Sequence, residues 1–186
     1  ARVEYGEAAF YGPKLDIQIK NVHGKEDTLI TIQIDFQLAE RFGMTYVDAE
    51  GQTKYPYVIH RTSIGCYERT LALLLEKYAG ALPTWLMPEQ VRVLPISDRL
   101  IDDAKKVEEQ LSRAGIRVSC DTRSEKVGYK IREAQLEKIP YMLVIGDKEV
   151  EEGTVSVRSR KEGDLGSMPV EGFLSKILQE IATKAK

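Results

Sequence analysis

The sequence predicts an α/β protein in two parts: an antiparallel sheet joined to one apolar helix, then a small α/β domain with a mixed sheet. Three observations lead there. Residues 15–20 (LDIQIK) and 30–36 (ITIQIDF) alternate apolar and polar side chains, the period of half-buried strands. After His60 that period gives way to an apolar stretch at 68–78 that reads as a buried helix. Beyond a proline-rich break at 82–88 (LPTWLMP), short apolar runs alternate with helix-length segments, the pattern of βαβ units.

In chain order, the two alternating runs form a hairpin around Gly24. One face carries Leu15, Ile17, Ile19, Ile30, Ile32, Ile34 and Phe36, and the other Asp16, Gln18, Thr31, Gln33 and Asp35. That polar face is either a solvated surface or a substrate floor. Residues 45–47 and 54–60 flank a turn at DAEGQT and predict a second hairpin, with Pro56 at the start or edge of its strand. The helix at 68–78 opens with the pair Glu68-Arg69, and a charge there on an apolar helix is a candidate for chemistry. Two prolines within six residues stop that helix and stiffen a linker, with Trp85 as an anchor packing it onto a domain. The expected division is therefore a first domain over 1–86 and a second over 90–186.

In the second domain the predicted order is strand 91–96, helix 98–114, strand 116–120, helix 126–138, strand 140–145, a turn at Gly146-Asp147, strand 154–159 and helix 169–183. Ser97 reads as the N-cap of the first helix and Gly115 as its exit.

Composition narrows the function. With 186 residues and 42% hydrophobic ones the chain can bury a real core. No apolar run approaches the roughly 18 residues of a membrane span, and no signal-peptide pattern opens the chain, so no membrane partner and a cytoplasmic location are expected. The chain opens ARVEYGE without methionine, which reads as a piece of a longer protein. Net charge is −2, so a nucleic-acid partner has to be gripped locally. Before Val91 there are 9 basic and 12 acidic residues, and from there on 18 and 17, a slight lean of the second part toward an anionic partner. Cys66 and Cys120 have neither disulfide nor metal-ligand spacing and read as small buried groups. No G-x-x-x-x-G-K, H-E-x-x-H or paired Cys/His zinc motif is present. Of the two histidines, His23 lies in a polar hairpin loop. His60, at a strand end beside Arg61, is either a buried histidine with one hydrogen bond or a ligand or acid/base group.

An ordered set of segments goes further. GEAAFYGPK (6–14), IQIDF (32–36), IHR (59–61), GCYER (65–69) and PTWL from Pro83 are followed by AGIRV, KIRE, PYMLVIGDKEV, VRSR and DLGSM. Together they resemble the last third of the bacterial threonyl-tRNA synthetases over essentially the whole chain. The resemblance implies a partial class II synthetase antiparallel sheet with its motif 3 helix, then an anticodon-binding domain. The parent would activate threonine with ATP and Mg2+ and pass it to tRNA(Thr), as a homodimer. Arg69 matches the motif 3 arginine that clamps ATP, a task suited to a planar, permanent charge. Lys14 matches a basic residue beside the nucleotide, and Tyr11 and Gln33 line the threonine pocket. His60 matches one of three protein ligands of a zinc ion. The other two ligands lie upstream in the family, so this chain is not expected to hold zinc or to catalyse alone.

In the second domain the resemblance makes Glu149 and Arg158 readers of anticodon bases. Carboxylate acceptors and bidentate arginines suit single-stranded bases. Ser124, where family members can carry asparagine, joins Lys126 and Lys130 as candidate anticodon contacts. These lysines, with Arg132, Arg160 and Lys161, otherwise read as solvated surface charges, and Glu149 as one charge of a solvated loop. Near Thr28 the family often carries a glutamine facing ATP, and the contact is not carried over. The alternative function is a non-catalytic nucleic-acid-binding or accessory protein derived from a class II synthetase.

Overall fold

A computed structural model describes residues 2–185, which form two compact units dividing between Lys77 and Tyr78. In the first, strands β1 (Lys14–Lys20) and β2 (Glu26–Asp35) pair antiparallel, and β5 (Val58–Arg61) pairs with the other side of β2. The short strands β3 (Tyr46–Val47) and β4 (Thr53–Lys54) make a separate hairpin. The segment expected as one strand over 54–60 is thus divided. Pro56 cannot donate to a ladder, and the chain beyond it re-pairs with β2 instead.

A bulge in β2 sets which side chains share a face. Ile17 faces Ile30 but Gln18 faces Thr28, so Leu29 has no partner. Thr28 thereby joins Thr31, Gln33 and Asp35 on the face of Lys14, Asp16 and Gln18. Gln18 Nε2 donates to Thr28 Oγ1 at 2.9 Å, and Thr31 Oγ1 to Asp16 Oδ1 at 2.8 Å. The short helix α1 (Leu38–Arg41) follows, and α2 (Tyr67–Tyr78) ends the unit.

Two expectations are corrected here. Helix α2 has no buried residue, with Leu71 and Leu75 53% and 44% exposed. Its apolar composition reflects more contact surface than the neighbouring residues of this unit cover. Cys66, expected to be buried, is exposed, and its thiol donates to Glu68 Oε2 at 2.8 Å. It sits in the turn before α2 rather than on a face turned inward.

The second unit holds a five-stranded mixed sheet in the order β10-β9-β8-β6-β7. Strands β6 (Val91–Pro95), β7 (Val118–Cys120) and β8 (Tyr141–Ile145) are parallel, β9 (Thr154–Ser159) runs antiparallel beside β8, and β10 (Gly163–Pro169) pairs antiparallel with β9 at the edge. Helices α3 (Ile101–Arg113) and α6 (Val170–Ala182) cover one face. There Val91, Val93, Leu111, Leu143, Val157, Phe173 and Ile177 form the main core. Helix α4 (Val127–Leu136) covers the other over Leu94, Ala134, Ile139 and Met142.

Local details differ from expectation. Ser97 occupies the N-cap position of a 3-10 turn at Asp98–Leu100, without a side-chain cap bond. The expected turn at Gly146-Asp147 leads into a short helix, α5 (Asp147–Glu152), and β10 is an additional strand. Cys120 is half-buried, and burial pushes its thiol up to about 11.

The segment after Tyr78 packs with the second unit. Arg160 donates to the carbonyls of Lys138 (2.5 Å), Ala81 (3.3 Å) and Leu82 (2.6 Å). Arg117 Nη2 donates to the carbonyl of Trp85 at 2.9 Å, Lys184 stands over the indole, and Thr84 Oγ1 donates to Glu180 at 2.5 Å. The prolines at 83 and 88 thus stiffen a segment that packs with the second unit.

Candidate functional site

Strand β2 collects the candidate residues of the first unit. Tyr11 Oη donates to Gln33 Oε1 at 3.0 Å, which leaves the amide NH2 as the open end of Gln33. Register places Lys14 and His60 opposite Gln33 on either side, so all three share the polar face. Lys14 is ion-paired with Asp16 at 2.9 Å, which holds the lysine above and the carboxyl below their usual ranges. His60 Nε2 lies 3.2 Å from Asp35 Oδ2.

Gly12 explains how Tyr11 reaches this face. A Cβ on Gly12 would lie 1.9 Å from the Ile34 carbonyl oxygen, so only glycine lets the preceding loop close on β2. There Phe36 N–H donates to the Tyr11 carbonyl at 3.0 Å.

Arg69 stands apart from this cluster. Its Nη1 donates to the Thr28 carbonyl at 3.0 Å, and it lines a small cleft of about 90 Å³ with Ile19, Asn21, Asp27, Leu29 and Glu76. Thr28 and Gln33 are separated by about 17 Å of extended strand at the usual rise per residue. Tyr11, Lys14, Gln33 and His60 are therefore gathered side by side, and Arg69 meets the same strand at its other end.

Among the described residues no group of three His, Cys, Asp or Glu side chains is placed to hold a metal ion. A zinc site needs about three protein ligands, and His60 offers one, so the residues present do not fit a metal centre by themselves.

In the second unit, Glu149 is not part of a solvated loop. Its Oε2 accepts the Gly146 N–H at 3.0 Å, closing the first turn of α5, and Oε1 accepts from Ser167 Oγ at 3.4 Å. Arg158, on β9, is ion-paired with Asp164 on β10 at 3.2 Å. Ser124 and Lys126 are exposed on the connection into α4, and Ser124 Oγ donates to Asp98 Oδ2 at 2.7 Å.

Lys130 is a correction. It is 2% exposed, and its Nζ donates to the carbonyls of Asp121 at 3.0 Å and Pro95 at 3.3 Å. Its charge ties the ends of β6 and β7 together and does not face a ligand. Arg160 likewise directs its guanidinium to backbone carbonyls. Sequence reasoning placed Asp35 on the polar face without a role and did not single out Asp98. The signal for Asp35 was its phase in IQID, two residues beyond Gln33.

Residues 2–78 match the family model described as tRNA synthetase class II core domain (G, H, P, S and T), and residues 90–180 match that of the anticodon binding domain. Fold and matches define a class II synthetase core segment followed by an anticodon-binding domain. A threonine–tRNA ligase of Clostridium perfringens is 66% identical over 178 residues, 96% of this chain and 28% of its own length. One of Clostridium botulinum is 62% identical over 180 residues, and one of Caldanaerobacter subterraneus 55% over 184. A solved structure, the RNA binding domain of threonyl-tRNA synthetase from Cryptosporidium parvum, superposes with a TM-score of 0.83 at 39% identity. It covers 94% of this chain and 44% of that one. The chain belongs to the threonine–tRNA ligase family, and it spans about 28% of the length of the curated relatives it matches.

Proposed function

We propose that this chain is the part of a threonine–tRNA ligase that contributes one strand-built wall of the aminoacylation site and reads the anticodon of tRNA(Thr). The observation that carries the reading is the row Tyr11, Gln33 and His60 on the polar face of β2, in one chain with an anticodon-binding domain. The hydroxyl and amide are hydrogen-bonding groups suited to the amino and hydroxyl groups of threonine. Lys14 and Arg69 offer positive charge to ATP with its Mg2+, the arginine as a planar and permanent cation. In the parent, the carboxylate of threonine attacks the α-phosphate of ATP and expels pyrophosphate, and a tRNA hydroxyl then takes the threonyl group from the adenylate with release of AMP. His60 would be one protein ligand of a zinc ion in the parent, its other ligands lying on other segments of that protein. The functional domains are assigned to 1–86 and 90–186, and the parent is a cytoplasmic homodimer.

For the RNA, Arg158 exchanges its partner Asp164 for a base edge, while Glu149 presents a carboxylate already oriented by Gly146. Ser124 and Lys126 flank them from the connection into α4. The test uses the 186-residue chain directly. Pyrophosphate exchange should detect no threonyl-adenylate. Binding to tRNA(Thr) transcripts should be weak, with a larger loss on Arg158→Ala for the matching anticodon than for altered ones. Adenylate formation, or an equal loss for every anticodon, would overturn the corresponding half of the proposal.

A further inference from the structure

Asp35 is a nearly buried carboxylate, 6% exposed, at the end of β2. Its two oxygens have different duties. Oδ1 accepts the backbone N–H groups of Gln37 and Leu38, both at 2.8 Å, at the entry to α1. Oδ2 is left for His60 Nε2 at 3.2 Å. Two backbone N–H donors on one oxygen favour the ionised carboxylate. An ionised carboxylate accepts hydrogen bonds and donates none, so the ring nitrogen facing it has to carry the proton.

We infer that Asp35 is the positioning residue of the site: its carboxylate holds the His60 ring with Nε2–H turned toward it and leaves Nδ1 as the atom offered to a ligand. The ligand is a hydrogen-bond donor or a cation, met on the face shared with Gln33, the cross-strand partner of His60. The role of Nδ1 rests on the function proposed above, whereas the tautomer rests on local geometry alone. The arrangement is the one by which a buried carboxylate fixes an imidazole in other enzymes.

The inference has a sharp consequence. In Asp35→Asn the side-chain oxygen has to remain with the two backbone N–H donors, because an amide NH2 cannot accept them. The NH2 then faces His60 and demands an unprotonated Nε2, which moves the proton to Nδ1. Long-range nitrogen–proton NMR on the 15N-labelled chain, at a pH where imidazole is neutral, reads this directly. The exposed His23 serves as the internal reference.

In the wild type His60 should be more completely Nε2–H than His23, with a slowly exchanging ring proton. In Asp35→Asn the Nδ1–H form should predominate while the backbone amide spectrum stays dispersed. A wild-type His60 that matches His23 in tautomer ratio and proton exchange overturns the inference, even if the variant unfolds. So does a folded variant whose tautomer is unchanged. Failure of the parent to bind threonine would instead undo the functional reading and leave the tautomer result standing.

Discussion

Lys130 illustrates how burial redirects a charge. From the sequence it is one lysine among several in KVGYKIRE, equally suited to a phosphate or to water. The structure encloses it and satisfies its ammonium with two carbonyls at the ends of parallel strands. Hydrogen bonds from a charged donor contribute about 1.5–3 kcal/mol, and a buried acceptor left unpaired costs about 1–3 kcal/mol. Lys130→Met keeps most of the volume and removes the donor. The second unit should then lose roughly 1–3 kcal/mol in urea unfolding. Under the proposed function the folded variant should bind tRNA as the wild type does, whereas a ligand-facing lysine would show the reverse pattern. The same difference separates Arg160, bound to backbone, from Arg158, whose surface ion pair can be exchanged.

At the scale of elements, the turn from β5 into α2 decides where Arg69 points. Gly65 has φ +74, and a Cβ there would lie 2.1 Å from the Leu29 carbonyl oxygen. Gly65→Ala therefore combines left-handed strain with a backbone clash. It should destabilise the first unit by about 1–3 kcal/mol or more and detach Arg69 from Thr28. A thermal melt, with loss of the Thr28–Arg69 contact followed by NMR, checks this. Gly115→Ala is the control, since its φ is +83 but nothing lies within 4 Å. Strands β1 and β2 were legible because their alternation spells one face. Helix α5 and strand β10 were not. Six residues, DKEVEE, are too few to show a helical period, and GDLGSMP holds its place through pairing with β9 across a bulge rather than through β-forming side chains.

At the scale of the whole chain, the two units differ in what they bury. The second has a continuous core on both faces of its sheet. Among the described residues of the first, Ala39 is the one hydrophobic side chain that is fully enclosed, while Leu15 and Ile59 are 56% and 65% exposed. Since buried apolar area is the main stabilising term, the units should not unfold together. Hydrogen exchange should protect the amides of β6, β8 and β9 far more than those of β1, β2 and β5, and denaturant curves should show two transitions. Equal protection in both units would refute this reading.

The sequence by itself determined the strand period, the position of the apolar helix, the α/β alternation of the second domain, and the motif set that marks the family. Each is written in residues close along the chain. Tertiary structure alone decided that β5 pairs with β2, which brings His60 beside Gln33 and Asp35. It also decided that Lys130 is enclosed and that Glu149 closes a helix turn. Those outcomes depend on which distant partner satisfies a hydrogen bond or covers a charge, and local pattern carries no record of that choice.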